Sequence, residues 1–538
     1  MKRIPLSWAP LALMLFGCAG STEQFKDQPI VWRVSDTANI PEPEEREFFP
    51  LPFGSEVMFH GQLTRVLSLP DKEPAWNTNA LEEVPDSSWF TNRIGVRQVT
   101  PDEAATGTSA AGPPTLPLTI TSAKAGGANP GFFAEDAKGR KFVIKFDTKE
   151  NPELQTSTSV IVNRVIWSAG YNVPNDDLFV FARNQLKLAP DAKLKDEFGK
   201  KRAMNAADVD EALAKAPRLA DGRYRASSSE FLEGVPKGGF PAKGTRSDDA
   251  NDLIPHEHRR EVRGMRVLAA WLNHTDMKED NTIDMYVEEN GRRFLRHYFL
   301  DFGEAMGGHP AEKNRHEDGF EYAWDWENQS RALVSLGLWK RPWEDVKDTP
   351  WLSVGPFGAS PFDPREWREA YPYWPFYELD EVDAFWAAKL VMRFDRPILT
   401  AIVKRGQLSD ADAESYLVDT LLARQRKVGK AFLEALSPLD DFHFERDARG
   451  ALQLCAIDLG LVYQLGRSGV VEVLDADDHV KSEHTAHKDG RICVPARGKG
   501  YEVSRLRVVR GRDVKPAMQV HYRLDGTPRV LGLIRKEH

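Results

Sequence analysis

The sequence predicts an α+β protein, β-rich in its first half and helical after that, with a small β domain behind. Three observations carry that prediction. Alternating apolar segments set off by glycine-bearing turns run over residues 116–147 and return at 173–182 and 224–232. Apolar residues then recur at helical spacing over about 256–272, 380–406 and 409–436. From about residue 440 the alternation comes back, clearest at 503–509, 520–524 and 530–534.

At 538 residues the chain has room for three or four domains of ordinary size. Hydrophobic residues make up 41% and charged residues 28%, which excludes both a disordered chain and one that crosses a membrane many times. Lys and Arg number 72 against 81 Asp and Glu. The net charge of −9, with no long basic run, makes nucleic acid an unexpected partner.

Lys2 and Arg3 precede a short apolar run, Ile4 to Phe16. It is too short to span a bilayer, so residues 1–17 read as a signal peptide. The run ends in Leu15-Phe16-Gly17-Cys18, which resembles the bacterial lipobox. That resemblance implies an exported protein acylated at Cys18, with palmitate among the chains, and held on a membrane by them. A secretory signal with a coincidental cysteine is the alternative. Ala19 in place of Asp implies, in the same pattern, the outer membrane, facing periplasm or exterior.

Residues 18–115 read as a Pro- and Glu-rich tether, then an aromatic extension packing on the main domain, with a linker-like break at 101–115. The main domain is expected over 116–437 and the β domain over 440–538. Inside the main domain a helix follows Pro152, carries Val160, Ile161, Val165 and Ile166 on one side, and stops at Gly170. Residues 184–221 read as a charged, partly helical insertion. The Trp-rich stretch 324–367 reads as core or lid of the helical lobe, with a sugar- or lipid-stacking platform as the alternative.

Besides Cys18 only Cys455 and Cys493 remain, 38 residues apart. They form one disulfide or stay as two buried thiols. No second Cys or His stands at ligand spacing from either, so no metal is expected there. His256 and His258 read as surface or helix-start residues, because positions i and i+2 point to different helix faces.

Four separated pieces carry chemistry, in one order. Gly126, Gly127 and Gly131 lie between two strands, where glycines let backbone N–H groups approach a polyphosphate. Lys145 ends the apolar strand Val143-Ile144, where a lysine either snorkels to solvent or serves an anion. His274-Thr275-Asp276 follows the helix Val267 to Asn273 and leads to Asn281. Leu300-Asp301-Phe302-Gly303 closes the set. Between these last two pieces Asn290-Gly291 is the preferred residue pair of a two-residue type I′ turn, so facing residue numbers should sum to 581. Asn281 then faces Leu300, which brings its side chain beside Asp301. An amide oxygen and a carboxylate there make a site suited to Mg²⁺.

Asp276-x₄-Asn281, then Asp301-Phe302-Gly303, with Lys145 on the third strand upstream, resembles the protein-kinase signature set. The intervening hairpin, the insertion and the Gly-x-x-Pro-Gly-Phe turn before Lys145 are similar to the atypical branch: HipA-type kinases, the spore-coat kinase CotH and the phosphatidylinositol kinases. The resemblance covers residues 116–437. It implies a bilobal kinase-like fold with ATP and Mg²⁺ as cofactors. Lys145 would orient the α- and β-phosphates, and Asp276 would receive or position the acceptor hydroxyl. Asn281 and Asp301 would hold Mg²⁺. Gly126, Gly127 and Gly131 would line the phosphate loop, and Glu233 would stand at the hinge beside adenine.

Three departures qualify the pattern. Ser159 stands where the helix should offer Lys145 a glutamate, and Glu150 and Glu153 lie only at the helix start. Thr275 replaces the arginine that commonly precedes the catalytic Asp. No Ala-Pro-Glu follows Gly303. Three functions therefore stand: a membrane-anchored kinase acting on a protein or polymer hydroxyl, a nucleotide-binding or inactive pseudokinase serving as an outer-membrane assembly lipoprotein, and a structural lipoprotein.

Overall fold

The alternating segments become one seven-stranded sheet. The computed structural model describes residues 23–26, 28–29, 35–61, 63, 72–124, 130–195, 200–309 and 315–536. The sheet contains β1 (Leu118–Ala123), β2 (Gly131–Glu135), β3 (Lys141–Lys145), β4 (Asp176–Phe181), β5 (Leu186–Lys195), β6 (Lys201–Ala203) and β7 (Tyr224–Glu230). Their order is β4-β7-β3-β2-β1-β5-β6. Only the β1–β5 pair is parallel. Ile120, Phe132, Phe142 and Ile144 are buried on one face, which alternation requires Lys145 to leave for the other.

The segment expected to be a charged, partly helical insertion is partly helical, and the rest of it extends the sheet. β5 and β6 are strands, and α3 below is its α-helix, after a 3₁₀ turn at Arg183–Gln185. Their apolar signal is thin, because β5 buries just Leu186 and Ala192 while lysines and Asp191 face solvent. A strand near the sheet edge needs little more.

Helices α1 (Pro101–Thr106), α2 (Leu154–Ala169) and α3 (Ala206–Ala214) belong to the first part of the chain. α2 is buried along nearly its whole length and ends at Gly170, whose φ is +132°. A Cβ on Gly170 would lie 2.2 Å from Phe90 Cζ, so glycine there both ends the helix and admits the N-terminal segment. Trp89 and Phe90 are buried with the helical core, whereas Phe49, Phe59 and Trp76 stay exposed.

The second part packs α4 (Arg260–Leu272) against α5 (Glu381–Met392), with α6 (Arg396–Lys404) and α7 (Ala411–Phe432) alongside. The single helical run expected over 380–406 is two helices. Asp395 caps α6 by accepting from the Ile398 N–H at 2.9 Å, and Pro397 sits in its first turn. His256, read from sequence as a surface or helix-start residue, is buried in the turn before α4. Its ring bonds Asp252 at 2.8 Å and the Pro241 carbonyl at 2.6 Å. Trp367 is buried, while Trp324 and Trp326 are exposed.

A small sheet joins β8 (Val235–Pro236), β9 (Thr282–Glu289) and β10 (Arg292–Phe299) in the order β10-β9-β8. After α7 come β11 (Leu439–Arg446), β12 (Leu452–Asp458), β13 (Val470–Leu474), β14 (Val480–Thr485), β15 (Arg491–Pro495), β16 (Tyr501–Arg510), β17 (Asp513–Val514), β18 (Met518–Arg523) and β19 (Arg529–Ile534). They form two sheets around one apolar cluster that includes Leu439, Leu454, Leu506 and Val520. Cys455 and Cys493 face each other across β12 and β15 and are joined in a disulfide. No described helix is long and apolar enough to cross a membrane.

Candidate active site

α4 delivers the first functional loop. It stops at Asn273, whose φ of +51° reverses the chain and whose N–H closes onto Ala269 and Ala270. His274 N–H bonds the Ala269 carbonyl at 2.8 Å. The ring Nδ1 of His274 and the N–H of Thr275 both reach the Glu304 carbonyl, at 3.0 and 3.3 Å. Met306 N–H bonds Leu272 at 2.8 Å, so the loop before Asp276 is stitched to the segment after Asp301.

The hairpin fixes the other end. β9 pairs with β10 from Glu289·Arg292 to Thr282·Phe299, every pair summing to 581 as the Asn290-Gly291 turn requires. The Leu300 N–H bonds the Asn281 carbonyl at 2.9 Å, continuing that register. Asp301 follows at φ +56°, a left-handed conformation that costs energy in a non-glycine residue and that the surrounding contacts impose.

Two pairs result. Lys145 Nζ lies 2.8 Å from Asp301 Oδ1. The Asn281 amide nitrogen donates to Asp276 Oδ2 at 2.8 Å and to the Asp276 carbonyl at 2.6 Å, and Lys278 Nζ holds Asp276 Oδ1 at 2.7 Å. Asn281 therefore turns its nitrogen to Asp276 and leaves its amide oxygen for another partner. Gly131 opens β2 directly opposite Lys145, and a Cβ on it would lie 2.2 Å from the Ile144 carbonyl. Gly126, Gly127 and Cys18 lie outside the described residues. Glu233 sits exposed between β7 and β8 and lines a cavity with Asn175, Tyr286 and Tyr298, whose lining includes neither Lys145 nor Asp301.

The charges of these groups act on one another. Desolvation lifts the Asp301 carboxyl, but Lys145, Lys124 and His274 outweigh it and leave it below the ordinary range. Glu304 goes the other way: desolvation, then the Asp276 charge, raises it to about 8. Desolvation lowers His274, whose Nε2 is buried without a hydrogen-bond partner among the described residues. Glu304, Lys124 and Lys278 were not singled out from sequence. Lys124 had a local signal, since it precedes the glycines, but what it acts on is set by strand packing.

Glu153, the sequence candidate to reach Lys145, instead accepts from Ser409 N–H and Oγ at 2.9 and 3.0 Å. Ser159 Oγ donates to Asp176 Oδ2 at 3.2 Å. Met277, Lys278 and Glu279 also line a cavity of about 830 Å³, with Lys243, Tyr373 and Trp374 on its walls.

No family model matches the chain, and no curated protein matches it. Two solved structures of the Golgi casein kinase are similar to it. One shares 10% identity over 74% of this chain and 94% of the other, with a TM-score of 0.31. The second, with Mn/ADP bound, shares 11% identity over the same portions, with a TM-score of 0.30. Likeness at that level does not say which residues act. The fold itself is mixed α+β, a multi-stranded sheet with helices.

Proposed function

We propose that the chain is a kinase-like phosphotransferase that moves the γ-phosphate of ATP to a hydroxyl on a protein or polymer. One observation carries the reading: Lys145, Asp276, Asn281 and Asp301 come from separate segments into two pairs, tied by the Leu300–Asn281 backbone bond and both acting electrostatically on Glu304. Lys145 supplies a cation for the α- and β-phosphates. Asp276, held by Lys278 and Asn281, presents a carboxylate that accepts and orients an incoming hydroxyl. The Asp301 carboxylate and the Asn281 amide oxygen are hard donors that fit Mg²⁺. Bound there, the ion would neutralise charge on the phosphoryl group. The 830 Å³ cavity beside Lys278 offers the acceptor an approach.

The proposal extends to an exported protein anchored to the outer membrane through acylated Cys18. Support comes from the sequence of residues 1–18 and from the disulfide, a bond that persists in oxidising compartments. ATP has no ordinary supply there, which supports the second reading: a nucleotide-binding pseudokinase that serves assembly at the membrane. The observation favouring it is that α2 gives Lys145 no carboxylate, with Ser159 turned to Asp176 and Glu153 to Ser409.

The test is intact-mass spectrometry of protein lacking Cys18 after incubation with ATP and Mg²⁺, beside Asp276→Asn and Asp301→Ala. A phosphate adduct lost in both variants supports the transferase. A Mg²⁺-dependent thermal shift with ATP and no adduct supports the pseudokinase. Transfer retained in Asp276→Asn would remove Asp276 from the chemistry.

A further inference from the structure

The transferase reading makes a demand on Lys145 that its present partner cannot meet. Asp301 holds Lys145 now, at 2.8 Å. Once Asp301 serves a cation and Lys145 a phosphate, the two are no longer each other's partner. A free lysine side chain carries substantial rotamer entropy, so aiming it takes a second anchor. α2 offers none, because Ser159 is a hydroxyl and Glu153 is engaged with Ser409.

We propose that Asp176, on β4, is the carboxylate that positions Lys145, in place of a glutamate on the helix. The inference rests on the kinase-like reading of the cleft. Strand register supplies the geometry. Lys145 on β3 pairs with Ser227 on β7, and Ser229, two residues along the same face of β7, pairs with Asp176 on β4. Lys145, Ser227, Ser229 and Asp176 thus share one face of the sheet, the face that Ser159 of α2 meets from above.

Asp176 is poorly served where it stands. It is 4% exposed, Oδ2 takes the Ser159 hydroxyl, and Oδ1 is buried with no hydrogen-bond partner among the described residues. The neighbouring arginines are committed elsewhere. Arg164 Nη2 donates to the Asp176 backbone carbonyl at 2.6 Å, and Arg405 pairs with Asp177 at 3.0 Å. Among the described residues Lys145 is therefore the cation left to meet Oδ1 across the sheet face. Burial raises the Asp176 carboxyl to about 6, while Ser229, Lys145 and Arg164 hold it down. A buried carboxylate with one unused oxygen has a cost that a lysine arriving from Asp301 would relieve.

The test reads the Lys145 amine directly and needs no nucleotide. Acetylation of Lys145 by N-hydroxysuccinimide acetate is followed by peptide mass spectrometry in wild type, Asp301→Ala, Asp176→Asn and the double variant. With Asp301 removed, Lys145 should pass to Asp176 and stay protected. Removing both should speed acetylation about tenfold, the size of one coupled contact. Adding Ser159→Glu to the double variant should restore protection, which a merely structural role for Asp176 would not produce. A double variant that reacts no faster than Asp301→Ala overturns the proposal. Urea unfolding checks that each variant is folded, and Asp176→Ser replaces Asp176→Asn if the latter is not. Because wild-type ATP binding is measured separately, a protein that binds no nucleotide defeats the transferase reading, whereas unchanged acetylation defeats Asp176.

Discussion

Lys145 Nζ lies 2.8 Å from Asp301 Oδ1, tying the end of β3 to a residue two positions past the end of β10. The pair is not a device for stability. Asp301 is exposed at the cleft mouth, and ion pairs in contact with water contribute about 0–1 kcal/mol. Its effect is electrostatic: the Lys145 charge holds the Asp301 carboxyl below its ordinary range. Lys145→Met should therefore leave the urea midpoint almost unchanged, while the Asp301 carboxyl titrates at higher pH by NMR and Mg²⁺-dependent ATP binding weakens. A large loss of stability would contradict this account.

Glu304 gives the cleft a pH signature. Its carboxyl ordinarily titrates near 4.5 and is raised in the fold to about 8. Between those values the folded state holds a proton that the unfolded chain has released, so stability falls as pH rises. The contribution is fully present below pH 4.5 and lost by the time pH passes 8. Asp176 and Asp318, both raised to about 6, add to the slope only in its lower part. Glu304→Gln should accordingly flatten the stability profile between about pH 6 and 8 and leave below that only the shallower slope that Asp176 and Asp318 supply, as urea midpoints across that range would show.

The helix that delivers Asp276 is braced by a buried carboxylate. Asp383 of α5 accepts from Arg260 Nε at 2.8 Å and Arg263 Nη1 at 3.0 Å, and all three side chains are almost fully buried. Asp383→Ala would strand two arginines without their anion. The expected loss is about 3–5 kcal/mol, read from chemical denaturation. Replacing Asp383 with Asn, which keeps the volume and one acceptor, should lose less.

Much of this was legible locally, and the remainder was not for a physical reason. The Asn290-Gly291 turn alone set the β9–β10 register, and with it Asn281 opposite Leu300. The spacing from Asp276 to Asn281 marked the two residues now bonded at 2.8 Å. Asp176 could not be found that way. Its relation to Lys145 runs through β7, a strand that begins well after both in sequence, and one-dimensional patterns carry no information about such non-local pairing. β5 and β6 were hidden because their charged residues mask alternation, and Glu304 because its burial depends on loops meeting in space.

The disulfide makes a separate prediction about the last part of the chain. It closes a loop of 38 residues between β12 and β15, worth about 4 kcal/mol by chain entropy. Changing both cysteines to alanine should lower the stability of the β11–β19 region by up to about that amount. Hydrogen exchange resolves it, since strands of the seven-stranded sheet should keep their protection.

Gly170 is where a single methyl group should do the most harm. Its φ of +132° is one that side chains rarely adopt, so alanine would be strained there even in open space. The space is not open: three atoms of the Phe90 ring would lie within 3 Å of the new Cβ. Phe90 cannot yield easily, because it is fully buried against Tyr171 and Trp386. The N-terminal segment is also hydrogen-bonded at this point, Thr91 N–H to the Gly170 carbonyl at 2.9 Å. Gly170→Ala should cost well over 1 kcal/mol, through strain and overpacking together. Trimming Phe90 to alanine in the same chain should recover part of the overpacking but none of the backbone strain. A Gly170→Ala protein as stable as wild type in urea would show that the segment carrying Phe90 does not pack on the end of α2.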